Sequence, residues 1–443
     1  MLVWCTSVRS FVFALSLMCG ALPVSAAAHP PSYTPPHFVD VLEGRFPSDE
    51  ARHETLYALD EYARTGGTKP LLLHFHGGLV SADGAKRSAQ TINDELPWHQ
   101  GAPSVGDITY GMYFVWHSGL FNFVNRPHFR ASDYNCKSAD FQADRSILQR
   151  SRDISFFTSK RIVERTGHGY ENAFEQFIRA YHPLSLPERW CGMKWSVDRA
   201  FDGDPAAAGD LFIDRLAHVL EDMPRRHNVV LVAQSAGSIY VMDFFKALDT
   251  YVKKNTSYRA VLEKRFDVVL TAPAVTFQDF SEKWPLADPF VANLRIFALT
   301  NAREYQDGLT DPAFGLLHLV APYYRHSLLY FVSGALEPVP DTPLVGMQRY
   351  WCSPIYQATG GAVQNVTTML ESRSLGDYLV WSPTGVARLG RNASARSHGM
   401  FSEDVMTWDS ILSIVNNGFG PASPVPSPVD RCTYYDDHNY DGI

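Results

Sequence analysis

Within VVLVAQSAGSIYV, from Val229 to Val241, one hydroxyl stands at a corner: Ser235 follows an apolar run and precedes a helical pattern. A serine hydroxyl near neutral pH attacks poorly unless a base takes its proton and fixed donors hold the oxyanion that forms. A strand turning directly into a helix exposes such a serine, and small residues two positions away on each side keep the sharp turn free of clashes. Ala233 and Gly237 meet that requirement. Ala233 stands where glycine is usual and Gln234 where histidine is frequent; neither forbids the turn. A small residue that merely lets the chain bend would look the same, so the rest of the sequence has to decide.

The second element is LLLHFHGGL, where an apolar strand ends in His76-Gly77-Gly78. Glycines let a backbone come close to a neighbour. The main-chain N–H of Ala236, with that of Gly78 or Leu79, is therefore the candidate oxyanion hole. HFHGG and AQSAGS, together with FVWHSG after the next strand and SHGMF near the C-terminus, resemble the α/β-hydrolase superfamily, in particular its serine esterases and lipase-like members. The resemblance covers roughly residues 70 to 118 and 205 to 415.

That resemblance implies a triad in the chain order nucleophile, acid, histidine, with Ser235 as the nucleophile. It places the histidine between the last strand and the final helix, where His398 lies in SARSHGMF. Ser402 is expected to cap that helix, with Glu403 and Asp404 in its first turn. His318 and His326 fall in a leucine-rich stretch and read as packing residues, and His438 belongs to the tail. The acid is expected in TNAREYQDG, after the strand Leu294 to Thr300. Asp307 and Glu304 are alternatives there: aspartate is the commoner triad acid, whereas Glu304 lies nearer the strand end. Asp307 is slightly preferred.

These residues need a scaffold, and the chain alternates short apolar runs with amphipathic helical patterns. Strands are expected at Leu71 to His76, Ile108 to Trp116, Val229 to Ala233, Asp267 to Val275, Leu294 to Thr300 and Tyr378 to Trp381. Helices are expected at Ala85 to Leu96, Asp204 to His227, from the Ser235 corner to about Val252, and Glu403 to Asn416. The order is that of an α/β protein with a doubly wound, mostly parallel sheet and helices on both faces, the α/β-hydrolase fold. Residues 119 to 203 break the rhythm as a large insertion, read either as a lid or as a structural excursion. A proline-rich, acidic tail runs from 420 to 443.

Residues 1 to 28 hold a single charge, Arg9, an apolar run from Phe11 to Leu17 and the small-residue pattern Val24-Ser25-Ala26. They read as a signal peptide, leaving 29 to 443 as the hydrolase domain and implying a secreted or periplasmic protein. Its removal takes away one base and no acid, so the formal charge moves from −8 to −9. Nucleic acid is then an unsuitable partner. No later segment reaches the ~20 apolar residues of a membrane span. Four cysteines remain, with Cys136–Cys191 and Cys352–Cys432 as the simplest pairing among three that the sequence permits. No C-x-x-C or H-E-x-x-H occurs, so no metal or other cofactor is implied. The expected function is hydrolysis of a small-molecule or lipid-like carboxylic ester through an acyl-enzyme. The alternative is a catalytically inactive binding or interaction protein of the same fold, with which the Ala233-Gln234 departure is compatible.

Overall fold

The structure is a computed structural model. It describes residues 36–96, 103–118, 169–181, 186–308, 324–353, 361–372, 378–384, 389–419 and 432. The chain divides into Met1–Tyr33 and Thr34–Ile443. The leader read at 1 to 28, positions 119–168 of the insertion and all of the tail except Cys432 lie outside the described residues.

Seven parallel strands form one sheet in the order β1-β3-β2-β4-β5-β6-β7. They are β1 His37–Val41, β2 Leu71–Phe75, β3 Tyr110–Trp116, β4 Val229–Gln234, β5 Phe266–Thr271, β6 Val291–Leu299 and β7 Leu379–Ser382. Parallel strands covered on both faces read as unbroken apolar runs. All five residues of β2 and all six of β5 are accordingly buried. The longer helices are α1 Asp49–Arg64, α2 Ala82–Glu95, α3 Gly169–Tyr181, α4 Leu186–Arg199, α5 Ala208–Glu221, α6 Gly237–Lys254, α7 Phe277–Ala287, α8 Asn301–Gln306, α9 Ala362–Ser372 and α10 Val405–Asn417.

Neighbouring residues of β2 point to opposite faces, and their partners show that helices cover both. The Phe75 ring lies 5.4 Å from Tyr240 of α6, whereas the His74 ring lies 5.9 Å from Trp408 of α10. The sheet is thus wound on both sides, and it is wholly parallel rather than mostly so. From β2 the chain moves outward to β3, then returns to β4 and continues through β5, β6 and β7. This reversal puts a topological switch point between β2 and β4, where the ends of two adjacent strands diverge and open-sheet proteins bind ligands.

Several sequence-based boundaries shift, each for a local reason. The strand expected to reach Val275 ends at Thr271, because Ala272 takes φ +42°. The helix expected from Asp204 begins at Ala208: the Asp204 carboxylate accepts from Ala206 N and its carbonyl from Ala207 N, closing a separate turn. That helix ends at Glu221, before Pro224, rather than at His227. The last helix starts at Val405 with Asp404 as its cap, while the Ser402 hydroxyl donates to Gly399 O in a preceding short turn. The sequence pattern does not announce β1 or α1 as a further strand and helix before residue 70. HFVDV buries only alternate residues at the sheet edge, and α1 is marked by Ser48, whose hydroxyl accepts from Ala51 N. Cys352 and Cys432 are joined by a disulfide with Cα atoms 5.5 Å apart. Cys191 is also disulfide-bonded, and Cys136 lies outside the described residues. Among the described residues no helix is long and apolar enough to cross a membrane.

Candidate active site

The register of the sheet brings the first two motifs together. Phe75 pairs with Ala233 across β2 and β4, so the loops leaving the two strands run side by side at the switch point. Ser235 occupies the corner with φ +51°. A residue with a side chain at positive φ costs on the order of 1–3 kcal/mol and persists where its surroundings over-determine it.

They do so here. Ser235 N donates to Thr271 O at 2.8 Å, and Ser235 O accepts from Ala274 N at 3.0 Å and from the Ser238 hydroxyl at 2.6 Å. The same Ser238 oxygen accepts from Val275 N at 3.0 Å, so one hydroxyl ties the loop after β5 to the corner. Nothing in the sequence singles out Ser238, because both of its partners are main-chain groups brought near by folding.

The glycines are explained by contact. A Cβ on Gly237 would overlap the Phe75 carbonyl oxygen, which sets how closely α6 can approach the end of β2. A Cβ on Gly77 would lie 3.3 Å from the Ser235 Cβ, and one on Gly78 would lie 3.0 Å from that of Ala236. The HGG loop therefore rests directly on the corner. Among the described residues, no hydrogen-bond acceptor is paired with the N–H of Gly78 or of Ala236. Leu79 follows with φ +64° and turns the chain away.

His76 holds this loop from below. Trp116 N can only donate, and it reaches His76 Nε2 at 3.3 Å; that leaves the ring proton on Nδ1, which donates to Gly77 O at 2.6 Å. Trp116 Nε1 in turn donates to His76 O at 3.0 Å. Burial pulls the His76 pKa down to about 4, so the ring is neutral near pH 7.

The other half of the site is assembled differently. His398 is buried after β7, and Asp307 follows α8 beyond the end of β6. Asp307 Oδ2 accepts from the main-chain N of His398 at 2.7 Å. Acid and base segments are therefore adjacent, yet the contact is to the backbone and not to the ring. Nδ1 of His398 is buried with no hydrogen-bond partner, and no hydrogen bond joins its ring to Ser235 among the described residues. Burial lowers the His398 pKa to about 4, which keeps the imidazole neutral and able to accept a proton.

Glu304 faces elsewhere. It is fully buried, the Ser327 hydroxyl donates to its Oε2, and Ser327 N donates to its carbonyl at 2.7 Å. Burial drives its pKa well above the ordinary carboxylate value, with nearby Asp307 adding to the rise. Asp307, which bonds the segment that carries His398, is the better placed of the two. The structure thus groups Gly77 and Gly78 with Ser235 and Ala236, and groups Asp307 with His398. Compared with family models, with curated proteins and with solved structures, the chain has no match in any of the three.

Proposed function

We propose that this chain is a serine hydrolase of carboxylic esters, working through an acyl-enzyme on Ser235. The observation that carries the proposal is the left-handed Ser235 corner at the switch point, held by Thr271, Ala274 and Ser238, with the Gly77-Gly78 loop packed against it. The fixed corner and the glycine loop packed on it support this reading, because acyl transfer requires a nucleophile beside main-chain N–H groups. The order of the segments supports the same reading: nucleophile after β4, acid after β6, histidine after β7, as in the α/β hydrolases the sequence resembles.

In the proposed reaction Ser235 Oγ attacks the ester carbonyl carbon while His398 takes the hydroxyl proton. The N–H groups of Ala236 and of Gly78 or Leu79 hold the oxyanion. The alcohol leaves with the proton returned by His398, and water then releases the acid and restores Ser235. Asp307, bonded to the His398 main chain, holds the segment that carries the imidazole. Small or lipid-like esters are the proposed substrates, and the leader and paired cysteines support a secreted or periplasmic setting. The mature protein should hydrolyse short p-nitrophenyl esters and become labelled by a fluorophosphonate at Ser235; full activity in the Ser235→Ala variant would sink the proposal.

One observation favours a second reading. The His398 ring has neither its Nδ1 partner nor a bond to Ser235, as in a site that has lost catalysis and retained its fold for binding. Fluorophosphonate labelling separates the two, since an inactive platform would not react.

A further inference from the structure

Away from the Ser235 corner, a cavity of about 530 Å³ opens between α4, α6, α7 and the segment from Leu336 to Thr342. The size suits a small organic molecule, for which pockets of roughly 300–1,000 Å³ are usual. Ser235 does not line it, although Ile239, one helical turn further along α6, does.

One wall is built with unusual care. A π-helical turn, Val332–Leu336, ends by presenting Leu336 and Glu337 to the cavity. Such turns recur at functional sites, because the wider backbone loop re-aims the residues that follow. Arg179 of α3 clamps the main chain there, donating to Glu337 O and Pro338 O at 2.6 Å each. The buried Glu337 carboxylate accepts from Trp190 Nε1 at 2.7 Å and from Lys194 Nζ at 2.9 Å. This wall sets one carboxylate, Glu337, against the Lys194 ammonium with the Arg179 guanidinium behind it, and so carries no negative excess.

The facing wall is not. Lys283 Nζ sits between Asp243, at 2.8 Å, and Asp279, at 2.9 Å, so a single ammonium serves two carboxylates. Glu282, on the rim, is met by the Gln278 side-chain amide, which brings no charge. Burial raises the Asp243 pKa to about 6, which still leaves it ionised at neutral pH. Between the two walls lie the apolar surfaces of Trp190, Ile239, Leu336 and Pro338. The cavity therefore combines an apolar body with an excess of negative charge along the α7 side.

We propose that this cavity binds an organic ammonium ion, with the cationic head beside Asp279 and Glu282 and the apolar part against Trp190 and Leu336. An anion would meet the uncompensated carboxylates, and a neutral molecule would gain nothing from them. The site is separate from the proposed catalytic corner, so binding and ester hydrolysis can fail independently.

The test uses the full chain and two probes of nearly equal shape, 2-phenylethylammonium and 2-phenylethanol, followed by calorimetry and by quenching of tryptophan fluorescence. The charged probe should bind at least about tenfold tighter, with the preference shrinking as salt is added. The Asp279→Asn/Glu282→Gln double variant should lose that preference while hydrolysing esters as the wild type does. Should the double variant fold poorly, Val339→Arg decides between the outcomes: Val339 is 64% exposed on the rim, and a cation placed there should weaken the ammonium probe and spare the alcohol. Equal affinity for the two probes, no detectable binding of the ammonium, or a preference that survives both variants would each overturn the proposal.

Discussion

The two halves of the candidate site differ in how tightly they are specified. Around Ser235 the backbone is fixed by four main-chain and hydroxyl contacts, and three glycines stand where a Cβ would press on a neighbouring segment. Around His398 a single carboxylate bonds the main chain, while Nδ1 of the ring has no hydrogen-bond partner among the described residues. The contrast teaches that a fixed strand-to-helix corner does not carry a fixed histidine with it. One is built from adjacent strands of a sheet; the other hangs on loops that follow β6 and β7.

The largest expected effects test whether the halves work together. Ser235→Ala and His398→Ala should each reduce ester hydrolysis by about a thousandfold or more, with thermal melts unchanged for the serine variant. A silent His398→Ala variant would show the loose half to be no part of the site. Gly237→Ala attacks the tight half through its packing, and overlap with the Phe75 carbonyl should lower stability by about 3 kcal/mol or more in urea unfolding.

Asp307→Asn keeps an acceptor for His398 N but loses the charge. It should reduce kcat about a hundredfold if the acid serves the imidazole, and leave it near wild type if it only anchors the backbone. We expect the reduction. Glu304→Gln should leave activity almost untouched, because its carboxyl is engaged by Ser327 rather than by His398. Ser238→Ala removes the hydroxyl bridge from Val275 to Ser235 O but keeps the direct Ala274 and Thr271 bonds, and should cost about 1–2 kcal/mol of stability with slower fluorophosphonate labelling.

Acid should act on both halves through their buried histidines. His398 has a pKa of about 4 in the folded chain against an ordinary 6.5, and His74 about 3. The folded state thus binds fewer protons than the unfolded one across this range. Stability is full above pH 6.5 and is lost as pH falls toward 4, each ring contributing on the order of 3 kcal/mol. Urea titrations at pH 7, 5.5 and 4.5 should show that decline, and a flat profile would contradict the burial of these rings.

What is readable in the sequence follows the same division. Val229 to Ala233 and Leu71 to Phe75 are runs that only a strand covered on both faces would use, and the small residues around Ser235 mark the corner. His37 to Val41 is not legible because an edge strand that buries alternate residues carries too short a pattern. The choice between Asp307 and Glu304 is illegible for a different reason: both lie in one short segment, and only the fold buries Glu304 beside Ser327 while bringing Asp307 to the main chain of His398. Ser238 shows the same limit, since its role depends on Val275 arriving on the loop after β5.

The position of His76 has one more consequence. Its ring receives an N–H from Trp116 on one nitrogen and gives one to Gly77 on the other, so a single uncharged form satisfies both neighbours. A second ring proton would set two N–H groups nose to nose and push the glycine loop off the Ser235 corner. Acid strong enough to protonate this ring, with its pKa of about 4, should therefore loosen the glycine loop in the same range in which the other buried histidines lower stability.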